Sequence, residues 1–246
     1  MSVLFWLSDE QWSAIAPHLP RNRPGVKPRR NREVISGIIH VQRVGCRWRD
    51  CPAEYGPHTT IYSRFNRWSK RGVWQALLAR LTVFDAAGQQ SIDSTTTKAH
   101  RCAAGGQGGP KPQAIGRSRG GRTTKIHAVA DQRGRLIAFD LSPGQRGDVK
   151  VAPTLLERLP AADYLLADAA YDSNALRRWL AERNTIAVIK PNPTRKGQVA
   201  FDQDCYKLRN TIERAFSHLK DWRRVATRYD KLARNFQAGI AIAAII

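Results

Sequence analysis

The chain has 246 residues and a formal net charge of +21, from 41 Lys and Arg against 20 Asp and Glu. This excess of basic residues favours a polyanionic partner, with nucleic acid the first candidate and an anionic membrane surface the second. No apolar run approaches the roughly 18 residues of a membrane span, and the N-terminus lacks the features of a signal peptide. The four cysteines form no C-x-x-C pair, which predicts reduced thiols in a cytoplasmic protein and no structural zinc site.

The first third of the chain has the periodicity of short helices. Ser8 and Gln11 match a capping box at the start of the first helix. A basic stretch rich in Pro and Gly follows at residues 21–30, and Asn31 is placed to cap a second helix.

A third helix is predicted to begin near Thr59, and a fourth covers residues 73–81. Arg64, Arg67 and Lys70 lie on faces of the third helix other than its apolar face. A short helical unit with a basic last member is typical of a helix-turn-helix that binds DNA. The alternative is a helical bundle with solvated arginines.

The pattern changes to strands after a linker of small and polar residues at 84–90. Residues 90–98 predict a first strand that contains Asp93, and two more strands are joined by a turn at 131–134. Between them, a basic glycine-rich loop at residues 103–121 lacks the P-loop pattern. This loop suits phosphate contact, or it is a solvated loop.

Helices and strands then alternate, with a helix at 148–159, a helix capped by Ser173 and a strand at 185–190. A short apolar strand ends at Asp168, where ligands gather in mixed sheets. The chain stops in an apolar segment, residues 238–246, that predicts a core helix cut short. We therefore expect two domains, a helix-turn-helix domain at residues 1–85 and a mixed α/β domain at residues 86–246.

The next-to-last predicted helix carries Tyr206, Arg209, Glu213 and Lys220 on one stripe, within about 60° of one another. A separate apolar stripe gives this helix a face that packs on the core. The residues of this stripe are Leu208, Ile212, Ala215, Leu219 and Trp222. One carboxylate among cations suits a metal held against a phosphate backbone. The plainer interpretation is an amphipathic helix with a solvated face.

Three acids, Asp93, Asp168 and Glu213, are candidates to meet in space. Phosphodiester chemistry needs an activated oxygen nucleophile and a neutralised leaving oxygen, and two Mg²⁺ ions about 3.5–4 Å apart supply both. Hard cations prefer such oxygen ligands, and the metals offset the repulsion between converging acids. Asp131, Asp140 and Asp172 are rivals. Asp172 ranks below Asp168 because it follows the strand, and Asp131 ranks lower because it lies in a predicted hairpin turn.

At these residues the chain resembles the DDE transposases of bacterial insertion sequences, of family 5 and its relatives. Tyr206, Arg209, Glu213 and Lys220 match the family's Y-x2-R-x3-E-x6-K signature without a gap. Segments 91–95 and 165–172 match the strands of the first and second catalytic Asp, and segments 45–52 and 59–68 resemble the family's DNA-binding region. Two departures are a short segment at 192–204 and the early end of the last helix.

The resemblance implies an RNase H-like fold with Asp93, Asp168 and Glu213 as ligands of two Mg²⁺ ions, for which Mn²⁺ can substitute. It implies double-stranded DNA as substrate, first the terminal inverted repeats of the element and then the target. Arg209 and Lys220 would hold phosphates, and Tyr206 would contact the backbone or a displaced base. A homodimer on DNA follows from the need to hold two ends together.

Two other functions stay open at this point. One is a DNA-binding descendant without catalysis, and the other is an RNase H-like nuclease or resolvase that acts on branched DNA. The three acids disfavour the first alternative. The basic helical unit disfavours the second because it indicates recognition of a specific sequence.

Overall fold

The computed structural model describes residues 3–20, 30–82, 88–197 and 199–246. Most of the basic stretch at 21–30 and of the predicted linker at 84–90 lies outside the described residues, and so does the predicted boundary between the two domains.

The N-terminal region is helical, as expected. Ser8 accepts a hydrogen bond from the Gln11 N–H at 3.1 Å, and the Gln11 side chain accepts one from the Ser8 N–H at 3.0 Å, so the capping box is confirmed. The helices of this region are α1 (Asp9–Ile15), α2 (Asn31–Val44), α3 (His58–Lys70) and α4 (Val73–Thr82).

The predicted cap at Asn31 is wrong. Asn31 is the first residue of α2, and the capping position belongs to Arg30, which makes no capping hydrogen bond with its side chain. The Asn31 Oδ1 instead accepts a hydrogen bond from Arg64 Nη1 at 2.6 Å. The side chain that the sequence assigned to a local cap therefore joins α2 to α3.

A mixed sheet follows, with its first strand in the interior. Its strands are β1 (Gln89–Ala99), β2 (Gly116–Ser118), β3 (Gly121–Asp131), β4 (Leu136–Pro143), β5 (Tyr164–Ala167), β6 (Ile186–Ile189) and β7 (Thr227–Arg228). Strand β1 lies between β3, to which it is antiparallel, and β5, to which it is parallel. The predicted strand that contains Asp93 is confirmed, and it lies at the centre of the sheet.

Six helices accompany the sheet. They are α5 (Ala152–Leu156), α6 (Asn174–Glu182), α7 (Gln203–Lys207), α8 (Asn210–Lys220), α9 (Arg223–Ala226) and α10 (Ala233–Ile245). Helix α5 is shorter than the predicted 148–159, because Pro153 fits only its first turn and Asp148 is held in a separate 3-10 turn. The Asp148 carboxylate accepts a hydrogen bond from Lys125 Nζ there.

The predicted signature helix is broken in two. A tight turn between α7 and α8 has i→i+3 hydrogen bonds, from the Thr211 N–H to Leu208 O and from the Ile212 N–H to Arg209 O, each 3.2 Å. Leu208 is 50% exposed, so its predicted place in the apolar stripe is wrong. Trp222 is buried, but it lies beyond the end of α8.

Among the described residues the hydrophobic core has two large parts, one on each face of the sheet, and a small third cluster of Ala99, Ala103 and Ile115. Neighbouring β3 residues such as Ala128 and Val129 face the two large parts. Helix α10 packs against α2, α3, α4 and α8, which confirms the predicted core helix. The N-terminal helices and one sheet face therefore share a continuous core. No helix among the described residues has the length and apolarity that a membrane span requires.

Candidate active site

Asp93 and Asp168 are brought together by the register of two parallel strands. Strands β1 and β5 pair Gln90 with Leu165 and Ser91 with Leu166. Continued by two residues, this register sets Asp93 beside Asp168, at a spacing between strands of about 4.8 Å. The predicted position of Asp168 at the carboxyl end of a buried strand is confirmed.

Glu213 lies in the first turn of α8 and reaches the pair through an arginine. Arg209, at the N-terminal cap of α8, donates a hydrogen bond from Nη1 to Asp93 Oδ2 at 2.8 Å. Its Nη2 donates to Glu213 Oε1. One guanidinium thus links two of the three predicted acids.

Burial and neighbouring carboxylates set the pKa values of the charged groups in the site. Burial raises the pKa of Asp93, and the nearby Asp168 carboxylate raises it further, while the Ser94 N–H and Arg209 act in the opposite direction. Burial alone would lower the pKa of Arg209, but the neighbouring acids outweigh it and the pKa is raised. Two adjacent carboxylates, one of them with a raised pKa, are an environment that a bound cation would stabilise.

The donor set fits a hard divalent cation. Asp168 accepts one hydrogen bond at Oδ1, from the Ala170 N–H at 2.9 Å, and both Asp93 and Asp168 offer the carboxylate oxygens that Mg²⁺ prefers. Among the residues that the structure describes, no three His, Cys, Asp or Glu side chains are gathered closely enough to hold an ion together. Arg209 stands between Asp93 and Glu213, which keeps the third acid apart from the first two.

The rival Asp172 has a different environment from Asp168, although it follows by only four residues. Its side chain is 0% exposed and pairs with Arg177 Nε at 2.8 Å and Arg195 Nη1 at 3.0 Å. It also accepts a hydrogen bond from the Asn192 N–H at 2.8 Å. Burial would raise the pKa of Asp172, but these donors outweigh it and lower the pKa. Its oxygens are occupied by the protein.

The other two rivals also have partners within the chain. Asp131 closes the β3–β4 turn by accepting hydrogen bonds from the Arg133 and Arg135 N–H groups and pairs with the Arg135 side chain at 2.6 Å. Asp140 pairs with Arg158 Nη2 at 2.9 Å. Structural partners thus account for both acids.

The other signature residues are placed differently from one another. Tyr206 lies in α7, with its ring 5.7 Å from the Arg209 guanidinium carbon and edge-on to Phe201. Lys220 is exposed at the end of α8, about 10 Å along the helix from Glu213. Tyr206 therefore packs beside Arg209, whereas Lys220 is available to a ligand.

Sequence reasoning did not single out Tyr171, which lies in the turn that follows Asp168. Tyr171 is 1% exposed. Its pKa is raised by burial and then by the carboxylates of Asp148, Asp93 and Asp168. The only local signal was its place three residues after a predicted metal ligand.

The cations of α3 that are predicted to contact DNA have different environments. Arg64 donates to Asn31 and lies over the Trp68 ring at 4.9 Å, and burial lowers its pKa. Arg67 and Lys70 are exposed. The structure therefore gives Arg64 a role between helices and leaves the other two side chains open to solvent.

Comparison with known families covers most of the chain. Residues 88–246 match the family described as "Transposase DDE domain". Residues 7–78 match the family described as "Putative transposase of IS4/5 family". The first of these spans well over half of the chain and contains all three predicted acids.

Individual proteins agree with the family match. The chain is 39% identical over 122 residues to the "Putative transposase for insertion sequence element IS6501" of Brucella ovis, which covers 49% of this chain and 94% of that protein. It is 36% identical over 107 residues to the "Insertion element IS402 uncharacterized 16.2 kDa protein" of Burkholderia cepacia. That match covers 38% of this chain and 73% of that protein.

A solved structure confirms the fold. The piggyBac transposase, in a synaptic complex with hairpin DNA, superposes with a TM-score of 0.51 at 11% identity, over 98% of this chain and 72% of that one. The mixed sheet with β1 in its interior is thus the RNase H-like fold expected from the sequence. The chain therefore belongs to the DDE transposases of bacterial insertion sequences, metal-dependent enzymes that cleave DNA and transfer its strands.

Proposed function

We propose that this transposase binds the terminal inverted repeats of its own insertion sequence and cleaves there with Asp93, Asp168 and Glu213 as ligands of two Mg²⁺ ions, which Mn²⁺ can replace. The observation that carries the proposal is the alignment of Asp93, inside β1, with Asp168, at the end of the neighbouring β5, with Arg209 joining Asp93 to Glu213. The two strands fix the first two acids rigidly, and α8 supplies the third.

Bound metal ions would activate the attacking water or 3′-hydroxyl and neutralise charge on the leaving oxygen. The protein's part is to place these ions and the scissile phosphate. Asp93 and Asp168 supply carboxylate oxygens from fixed backbone positions. Arg209, held beside the Tyr206 ring, is placed to contact a phosphate next to the acids. Lys220 extends the cationic stripe along α8.

DNA binding is supported by the net charge of +21 and by the exposed Arg67 and Lys70 on α3. We propose residues 1–85 as the helix-turn-helix domain and residues 86–246 as the catalytic domain. The first would select the repeat and the second would cleave it, in the bacterial cytoplasm at the nucleoid. Two protomers would hold the two ends of one element. Arg64 contributes by keeping α3 in place against α2.

The test uses the full-length protein and duplexes that carry the two ends of the element found in the flanking genomic DNA. We expect strand cleavage at the ends with Mg²⁺ or Mn²⁺ and none with EDTA. Binding to duplex DNA should weaken with salt, with log K falling by roughly 0.9 for each phosphate contact. A matched duplex with scrambled ends is the control.

Three outcomes would contradict the proposal. Specific binding without cleavage in either metal would indicate the non-catalytic descendant. Cleavage of branched DNA without preference for the ends would indicate the nuclease or resolvase. Affinity that stays constant from low to physiological salt would exclude phosphate contacts as the main source of binding.

A further inference from the structure

A cavity of about 830 Å³ lies between the N-terminal helices, the glycine-rich loop and the segment that joins α9 to α10. Its wall includes Trp48 and Tyr62 from the N-terminal region and Tyr229, Asp230 and Asn235 from the C-terminal region. The cavity therefore exists only in the assembled fold. Its volume is in the range of sites that hold small organic groups.

This cavity is separate from the three acids. Strand β7 pairs with the far end of β1, with Lys98 beside Thr227 and Ala99 beside Arg228. Lys98 is five residues beyond Asp93, which corresponds to about 17 Å along a strand. None of the three acids lines the cavity, so a ligand bound there lies away from the carboxylate pair.

Aromatic side chains form one side of the cavity. The rings of Trp48 and Tyr62 are 5.4 Å apart, and Tyr62 is 41% exposed. The Trp48 ring also lies against Phe65 at 4.9 Å and the Arg224 guanidinium at 5.2 Å, which holds it in place. Tyr229, which also lines the cavity, is 44% exposed. Fixed rings with open faces are platforms on which a planar group stacks.

Three residues that line the cavity carry buried polar atoms that lack partners within the described residues. Asp230 Oδ2 and Asn235 Oδ1 are acceptors, and Arg224 Nε is a donor. These residues are 8%, 5% and 7% exposed. Buried polar atoms are nearly always satisfied, so three orphaned atoms from residues lining one cavity indicate a ligand with complementary groups.

The cavity walls are closely packed at two glycines. A Cβ on Gly45, which has φ of +81°, would lie 2.7 Å from Arg223 Cβ, and a Cβ on Gly106 would lie 2.6 Å from Lys231 O. The end of α2 and the glycine-rich loop are thus held directly against the segment around α9 and α10. The loop is packed at Gly106, and this wall of the site is preformed.

We propose that this cavity binds one unpaired nucleobase of the DNA, and that guanine fits it best. A guanine edge offers two N–H donors and one carbonyl acceptor, which complement the two orphaned acceptors and the Arg224 donor. A phosphate group has only acceptors, which Asp230 would repel. Arg47 and Lys231 line the cavity and supply cations for the flanking phosphates. The inference rests on the proposed function, since it requires that the chain bind DNA.

The experiment measures the affinity of the full-length protein for three duplexes of one sequence, in EDTA to prevent cleavage. One duplex is fully paired, one has a single extrahelical guanine, and one has an extrahelical thymine. We expect the extrahelical guanine to bind tightest, with a preference over the paired duplex of roughly five- to a hundredfold from stacking.

Tyr62→Ala should remove most of that preference, because one stacking surface is lost and the extrahelical and paired duplexes should then bind with more similar affinities. Tyr164→Ala is the matched control, because Tyr164 is 40% exposed on β5 and does not line the cavity. Asp230→Asn should reduce the preference for guanine over thymine, because one acceptor oxygen becomes a donor. Tyr229→Ala provides the second test should Asp230→Asn fail to fold.

Equal binding of paired and extrahelical duplexes by the wild type would overturn the inference and leave the proposed function intact. The same holds if Tyr62→Ala weakens all three duplexes equally, which would indicate a backbone contact. Failure of the wild type to bind any duplex would overturn the proposed function itself.

Discussion

Asp168 and Asp172 lie four residues apart in one segment, yet their environments are opposite. Asp168 follows β5 and accepts one hydrogen bond, from the Ala170 N–H. Asp172 is buried and receives hydrogen bonds from Arg177, Arg195 and the Asn192 N–H. An acid whose oxygens are all occupied by the protein stabilises the fold, whereas an acid with open oxygens beside Asp93 is available to a metal ion. The two residues are of the same type, so their roles differ because of the number of hydrogen bonds that each carboxylate accepts from the protein.

The largest expected effect that tests this comparison is on catalysis. Asp168→Ala should reduce strand cleavage by roughly a thousandfold or more, since one of the proposed metal ligands would be lost. Affinity for duplex DNA should be kept or rise slightly, because a negative charge is removed. Gel assays of cleavage and anisotropy of binding measure the two quantities. Full cleavage by Asp168→Ala would refute its role.

The same substitution at Asp172 should act on stability. Asp172→Ala leaves two partly buried arginines without their carboxylate, and breaking such a pair typically costs about 3–5 kcal/mol. Urea unfolding monitored by circular dichroism measures this loss, with Asp168→Ala as the matched control. If Asp172→Ala is as stable as the wild type but does not cleave, the catalytic acid is Asp172 and the comparison is reversed.

A third acid, Asp148, extends the comparison to a buried histidine. His127 Nδ1 lies 3.4 Å from Asp148 Oδ1, and its Nε2 lies 2.7 Å from Ser142 Oγ. Burial lowers the pKa of His127 to about 4, with Lys125 adding to this effect and Asp148 opposing it. Asp148 also pairs with Lys125 at 2.9 Å, so it too is an acid with internal partners.

This pKa has a defined effect on stability. Because the folded pKa lies below the unfolded value of about 6.5, the unfolded state binds more protons as the pH falls, and stability is lost between pH 6.5 and about 4. The loss from pH 7 to 5 should be about 2 kcal/mol. Urea unfolding of wild type and His127→Gln at several pH values measures it. Parallel curves for the two proteins would contradict the assignment.

The smallest expected effect concerns Arg209, the cation that contacts Asp93 and Glu213. Arg209 neutralises Asp93 and therefore competes with a metal ion. Arg209→Gln should raise the affinity for Ca²⁺ or Mn²⁺ by roughly tenfold, about 1.4 kcal/mol, while cleavage falls because a phosphate contact is lost. Calorimetric titration measures the affinity, with Arg214→Gln as a control on the same helix. Unchanged or weaker metal binding would show that Arg209 does not compete for the site.

The sequence by itself determined the features that depend on neighbouring residues. The capping box at Ser8 and Gln11, the apolar run that precedes Asp168 and the spacing of Arg209 and Glu213 are all patterns within about four residues of the chain. The period of a strand or helix and the geometry of a cap are local, so they can be read without the fold. The family signature from Tyr206 to Lys220 is also a pattern of nearby residues, so it too is visible in the sequence.

Only the tertiary structure decided which side chains are free. The Asn31 side chain pairs with Arg64 and does not cap a helix, and the oxygens of Asp172 accept hydrogen bonds from distant residues. Trp48 and Tyr229, far apart in the chain, line one cavity. These outcomes depend on partners far apart in the chain, because burial and the pairing of polar groups are properties of packed surfaces. The residue pattern names the candidates for each role, and long-range packing selects among them.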